Sequence, residues 1–367
     1  MTSWQEELKN SITDPVDLAA HLDVDPEPLC RVARIYPMRI PPYYLQLIQE
    51  HGLPLFRQAV PDLRELDDPD GMVDPLGEED LSPVPNLVHK YPDRALLLVS
   101  GRCAMYCRFC TRKRKVGRPE MRIRPAAVEE ALQYLRDTPA IREVLLSGGD
   151  PLLLEDAELE DILHRLRGIG SIEVIRIGTR VPCTLPMRIT GRLATMLCRY
   201  HPLYVNTHFN HPAEITSQAA RACGLLADSG IPLACQTVLL RGVNDDPETI
   251  RDLMLGLLRI RVRPYYLFQG DLTRGTSHFR TTIDQGRQIM RSLIGHISGM
   301  AVPTYALDAP GGGGKIPLMP DYIESMDSEV RFSTFRNRPA VYPNRLYGKE
   351  NDSCLSSCLD KTKQADI

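Results

Sequence analysis

No apolar run in this chain approaches the ~18–20 residues that a membrane-spanning helix needs. The opening stretch MTSWQEELKNSITD has no apolar core, so no secretory signal is expected. An excess of one charge sign is also missing. The 44 Lys and Arg against 47 Asp and Glu leave a formal net charge of −3, which argues against a general nucleic-acid or membrane-surface binder. Ten cysteines without an export signal read as reduced thiols and ligands rather than disulfides, and a cytoplasmic location is expected. What remains is an ordinary globular composition, 43% hydrophobic and 25% charged. At 367 residues there is room for one large domain and smaller additions.

Three of the cysteines stand together. Cys103, Cys107 and Cys110 are spaced C-x3-C-x2-C, directly after an apolar run at 95–99 that reads as a buried strand. A mononuclear zinc site wants four ligands, and no second cysteine arm lies nearby. A 4Fe–4S cluster normally takes four cysteines, so three leave one iron open for an outside ligand. The spacing resembles that of the radical S-adenosylmethionine (SAM) superfamily. That resemblance implies a cluster whose open iron chelates SAM and whose electron cleaves it to a 5′-deoxyadenosyl radical.

The first 92 residues contain 13 of the 30 prolines, so only short helices fit between the breaks; 3–11, 15–22 and 42–51 are candidates. The acidic, proline-bearing stretch 67–85 reads as a wrapping arm. From about residue 93, β-rich runs at 95–99, 143–147, 172–178, 203–209, 232–240 and 263–269 alternate with amphipathic stretches. The helices are expected at 126–135, 156–166, 189–198, 214–227, 247–258 and 283–296. This alternation predicts an α/β fold with a parallel sheet, and six units predict an open six-stranded partial (βα)6 barrel rather than a closed one. It is also the fold the radical SAM resemblance implies. Expected domains are an N-terminal helical extension (1–92), the partial barrel (93–285) and a C-terminal segment with a lysine loop and a polar tail (286–367).

Ligands in such folds gather at the carboxyl ends of the strands. The cysteine loop lies there, as does Ser147-Gly148-Gly149-Asp150 after the second run, a tight turn or a place where a ligand approaches backbone closely. Gly311 to Gly314 form a run of four glycines between Pro310 and Lys315. Composition alone favours a linker. The alternative is a mobile loop carrying an amine that forms a Schiff base with an aldehyde cofactor.

Taken together, YPDRALLLVSGRCAMYCRFCTRKRKVG, SGGDPLLL, VNTHFNHPAEIT, VLLRGVNDD, RVRPYYLFQGDL and VPTYALDAPGGGGKIPLMPDY resemble the lysine 2,3-aminomutase family from about residue 85 to about 335. The resemblance implies three cofactors: a 4Fe–4S cluster on Cys103, Cys107 and Cys110, SAM, and pyridoxal 5′-phosphate (PLP) on Lys315. It places Ser147, Gly148, Gly149 and Asp150 at SAM and His208 and Gln236 along the cofactor pocket. Arg94 falls at the PLP phosphate, with Lys90 where an arginine is expected. Arg112 matches the arginine for the substrate carboxylate, a planar group that suits a guanidinium fork. Asp271 and Asp308 match two acids that grip a lysine side-chain ammonium. Two converging acids would repel each other without a cation between them.

The implied partners are a small amino acid substrate, an electron donor such as flavodoxin or ferredoxin, and a second copy of the chain. Neither nucleic acid nor membrane is expected. Relatives acting on arginine, glutamate or a lysine attached to elongation factor P are the nearest alternatives. A non-catalytic iron–sulfur or zinc module is the distant one. Zinc is not expected, because Asp246 stands where some members have a cysteine and the tail offers only Cys354 and Cys358.

Overall fold

A computed structural model describes residues 3–345; Cys354 and Cys358 lie outside the described residues. The chain up to Met319 forms one compact unit, and the described residues from Pro320 form a second. The first is built on one sheet whose strands lie in chain order. They are β1 (Leu87–Tyr91), β2 (Arg94–Ser100), β3 (Glu143–Gly148), β4 (Val174–Gly178), β5 (Leu203–Thr207), β6 (Leu233–Leu239), β7 (Arg263–Gln269), β8 (Thr304–Ala309) and β9 (Gly314–Pro317). From β2 to β8 every neighbouring pair is parallel. Such pairs need a crossover, and the helices provide it.

Each crossover helix is written in its sequence. Pro125–Asp137 starts on a proline and buries Val128, Ala131, Leu132 and Leu135, one helical face. Pro247–Arg259 is capped by the Asp246 carboxylate, which accepts from the Thr249 N–H, and it buries Ile250, Leu253, Met254 and Leu257. Asp246 thus serves as a helix cap.

The sheet corrects the expected six strands to nine. The six predicted runs all form, and β1, β8 and β9 extend them. β1 folds antiparallel onto β2, and β9 folds antiparallel onto β8. Hairpins need no intervening helix, so the βα spacing could not announce them. Side chains bring the two edges together. The Lys315 N–H on β9 donates to Tyr91 Oη on β1 at 3.2 Å. The result is a strongly curled partial barrel.

The proline-rich extension packs on this barrel. Besides Trp4–Lys9, Pro15–Ala19 and Pro42–His51, it forms two helices that went unread, Pro26–Ala33 and Leu53–Ala59. Prolines sit in their first turns, where no backbone donor is lost. Ile40, Tyr44 and Leu55 are fully buried and belong to the same core as Leu97, Leu146 and Tyr305. In the second unit β10 (Ile323–Met326), β11 (Glu329–Ser333) and β12 (Pro339–Pro343) form an antiparallel meander. No described helix is long and apolar enough to cross a membrane.

Candidate active site

The carboxyl ends of the parallel strands surround a cavity of about 370 Å³. The cysteine loop leaves β2 and forms one wall, with Cys103, Cys107 and Cys110 all lining the space. The loop is held by ion pairs rather than by regular structure. Arg108, between two of the cysteines, is buried against Glu65: its Nε donates to Oε1 at 2.8 Å and its Nη2 pairs with Oε2. Lys113 Nζ lies 2.6 Å from the same carboxylate. Behind Cys107, Arg180 places Nη1 2.8 Å from Sγ and donates through Nη2 to Gln58 Oε1 at 2.6 Å and Glu214 Oε1 at 2.7 Å. Tyr44 donates to Glu214 as well, at 2.7 Å.

Burial, then the neighbouring sulfurs, push the Cys103 thiol well above its usual range and Cys110 up to about 11. Cys103 and Cys110 therefore resist ionisation unless positive charge arrives beside them. An iron–sulfur cluster brings that charge, so the donor set fits the group. No three His, Cys, Asp or Glu side chains among the described residues converge as a single metal ion requires. A cubane places each thiolate on a different iron and does not require such convergence.

Beyond β3, Gly148 has φ +133°, and a Cβ there would stand 2.2 Å from Ser100 O. A Cβ on Gly149 would stand 2.2 Å from Arg102 O. The close approach these glycines permit is thus to the start of the cysteine loop, which they clamp through Gly149 N to Ser100 O and Asp150 N to Arg102 O, both 2.6 Å. Asp150 is likewise committed to protein. Its carboxylate accepts from Thr179 Oγ1 at 2.7 Å, Arg180 N at 2.7 Å and Leu152 N at 3.0 Å. Burial raises it to about 6.

Arg112, on the same wall, meets Glu78 in a bidentate pair, Nε to Oε2 at 2.9 Å and Nη2 to Oε1 at 2.6 Å. Its Nη1 donates to Ser147 Oγ at 3.2 Å and Gly148 O at 3.1 Å. Glu78 comes from the acidic arm, and reading that arm as a wrap missed it. The available signal was charge complementarity: Asp74, Glu78 and Glu79 face the basic run Arg112 to Lys115. Arg180, at the end of β4, was also given no role.

The opposite wall carries Asp271 and Asp308. Asp308, on β8, lies 3.0 Å from Lys315 Nζ through Oδ2 and 3.4 Å from Lys90 Nζ through Oδ1. Among the described residues, no ion pair reaches the half-buried Asp271. Burial and the Asp308 charge push its carboxyl up to about 7. The glycine run is the turn of the β8–β9 hairpin, with Gly311, Gly312 and Gly314 at positive φ, rather than a linker. It carries Lys315 into the cavity over the Phe268 ring at 5.2 Å. A lysine amine beside an aromatic face, with Lys90 as a second cation, fits PLP.

His208 and Gln236 line the cavity. Burial and then Arg180 push His208 down to about 3, so it is neutral. Arg94 is not among the lining residues: it shares the strand face of the lining Leu96 but stands at the amino end of β2, where it pairs with Asp93 at 2.9 Å and stacks on Tyr91 at 3.9 Å.

The geometry agrees with comparison to known proteins. The family model described as Radical SAM superfamily matches residues 97–254, and the one described as Lysine-2,3-aminomutase matches 290–355. An L-lysine 2,3-aminomutase of Fusobacterium nucleatum is 47% identical, over 88% of this chain and 77% of its own length. One from Methanococcus maripaludis is 45% identical over 97% and 83%. A glutamate 2,3-aminomutase of Clostridioides difficile is 43% identical over 89% and 78%. With these relatives matched across nearly its whole length, the chain is an enzyme of the lysine 2,3-aminomutase family within the radical SAM superfamily.

Proposed function

We propose that this enzyme moves the α-amino group of L-lysine to the β carbon, giving β-lysine. The observation that carries the reading is the charge layout of the cavity. Arg112 stands on the cysteine wall, while Asp271 and Asp308 stand on the other, and among the described residues both nearby lysines pair with Asp308 and none with Asp271.

Cys103, Cys107 and Cys110 would hold the 4Fe–4S cluster, Lys315 would hold PLP, and Gln236 and His208 would line the SAM and PLP pocket. When bound, the cluster with SAM supplies a hydrogen-abstracting radical, and PLP supplies the aldehyde that carries the migrating nitrogen. Arg112 receives the substrate α-carboxylate, and Asp271 and Asp308 receive its ε-ammonium. Asp308 Oδ2 accepts from Lys315 Nζ. An arriving ammonium competes for the same oxygen and loosens the lysine. Neutral His208 adds no positive charge to the pocket. The buried walls exclude water from a reactive carbon centre and fix the distance of transfer.

The acid pair argues against an anionic side chain, and so against the activity named for the glutamate relative. A one-electron donor such as flavodoxin or ferredoxin is needed to reduce the cluster. The test is anaerobic incubation of reconstituted protein with PLP, SAM and dithionite, with lysine, arginine and glutamate supplied separately and products identified by mass. β-Lysine should form, and preferential conversion of glutamate or arginine would overturn the substrate. Failure to cleave SAM would overturn the chemistry.

A further inference from the structure

A guanidinium has five N–H donors. In Arg112 four are taken: Nε and Nη2 by Glu78, and both Nη1 donors by Ser147 Oγ and Gly148 O. One Nη2 donor is left, and a carboxylate bound through a fork needs two. Binding a substrate carboxylate therefore requires one existing partner to yield. Releasing Glu78 would leave a carboxylate, 9% exposed, without its counter-charge. Releasing the Ser147 hydroxyl, a neutral acceptor at 3.2 Å, costs far less. Burial works to raise the Glu78 carboxyl, yet Arg112 outweighs it and holds the carboxyl below its ordinary value, so Glu78 is a standing anion.

The arm around Glu78 is anchored at several points. Pro75 O accepts from Gly311 N at 2.9 Å, tying the arm to the lysine-bearing turn. Asp74 lies 3.1 Å from Arg114, and Glu79 2.8 Å from Lys115. The Ser82 hydroxyl donates to Glu78 O at 2.6 Å. Gly77, at φ +62°, makes the bend that aims Glu78 inward.

We propose that Glu78 is a positioning residue for substrate recognition. It grips the Nε/Nη2 side of Arg112 and presents the Nη1/Nη2 end to the amino acid carboxylate, while Ser147 gives way. This rests on Arg112 being the carboxylate-binding group. A freely displaced acid would instead compete with substrate, and the two roles predict opposite signs.

The experiment compares wild type, Glu78→Gln, Glu78→Asp and Arg112→Lys, each loaded with cluster, PLP and SAM but unreduced. Equilibrium dialysis measures binding of lysine and of 1,5-diaminopentane, which lacks the carboxylate; steady-state assays add kcat and KM. Glu78→Gln should weaken lysine about tenfold or more, the worth of one charge-assisted hydrogen bond. KM should change more than kcat, and the diamine should bind as before. Glu78→Asp, which keeps the charge on a shorter arm, should fall between and covers the case in which the glutamine variant does not load. Tighter or unchanged lysine binding in the Glu78 variants, with Arg112→Lys strongly impaired, would overturn the role of Glu78 alone. Equal weakening of lysine and diamine would reduce Glu78 to a structural brace and overturn it too. Lysine binding untouched in Arg112→Lys would overturn the reading of Arg112, and this proposal with it.

Discussion

The two walls of the cavity are built on opposite electrostatic terms. On the cysteine wall every buried cation has its anion: Arg108 and Lys113 share Glu65, Arg180 has Glu214, and Arg112 has Glu78. On the wall formed by β8, the segment after β7 and the glycine turn, the pairing is uneven. Asp308 has two lysines within 4 Å, and among the described residues Asp271 has none. A buried pair that is complete in both charge and hydrogen bonds holds a loop in place. A buried acid without a partner raises its own pKa and waits for a cation. The difference separates the two walls: one is braced around the cysteines, and the other, in the function proposed, is the socket for a charge that a ligand brings.

Breaking the scaffold at its centre should have the largest effect. Cys107→Ala should abolish the iron-linked visible absorbance and SAM cleavage together, whereas Cys354→Ala and Cys358→Ala should retain both. Full iron and sulfide content in the Cys107 variant would remove the cluster from this loop.

Breaking the pairing behind the loop should cost stability. Glu65→Gln leaves Arg108 and Lys113 buried without an anion, a loss of ~3–5 kcal/mol. The thermal midpoint should drop and the cluster should be lost more readily to chelator. An unchanged midpoint would show that the ion pairs hold nothing.

The socket should show itself more gently, through pH. Asp271 titrates at about 7 and must be ionised to take an ammonium, which itself stays protonated up to ~10. The groups acting on it are Asp308, Lys315, Lys90 and Glu78. In the reconstituted enzyme, kcat/KM for lysine should therefore rise about tenfold per pH unit below 7 and level off above it. Asp271→Asn should flatten that limb. Folding stability runs the other way. The carboxyl holds its proton more tightly folded, at about 7, than at its ordinary 3.8, so its contribution is full below 3.8 and is lost as pH rises through about 7.

Much of this was legible in residue order. The run at 263–269 coincides with β7, and those at 143–147 and 232–240 differ from β3 and β6 by a residue or so at their ends. Parallel strands buried on both faces announce themselves as apolar runs at a fixed spacing. β9, by contrast, is Gly314-Lys315-Ile316-Pro317, short and carrying both a glycine and a proline, and nothing local marks it as a strand. In the site, the motif residues on the strand ends reached one cavity because strand ends converge. Arg94 did not, since it stands at the amino end of β2, away from the strand ends that converge. Glu78 was hidden because its meaning depends on a partner 34 residues away.

In the function proposed, Asp271 and Asp308 form a socket for the lysine ammonium. The most direct measurement is the ratio of kcat/KM for lysine to that for norleucine, an uncharged analogue of similar length, in wild type, Asp271→Asn and Asp308→Asn. Each substitution should collapse that ratio by roughly two to three orders of magnitude, the worth of ~3–5 kcal/mol, with cluster and PLP loading unchanged. Undiminished lysine turnover in both variants, or an equal fall for lysine and norleucine, would contradict the account.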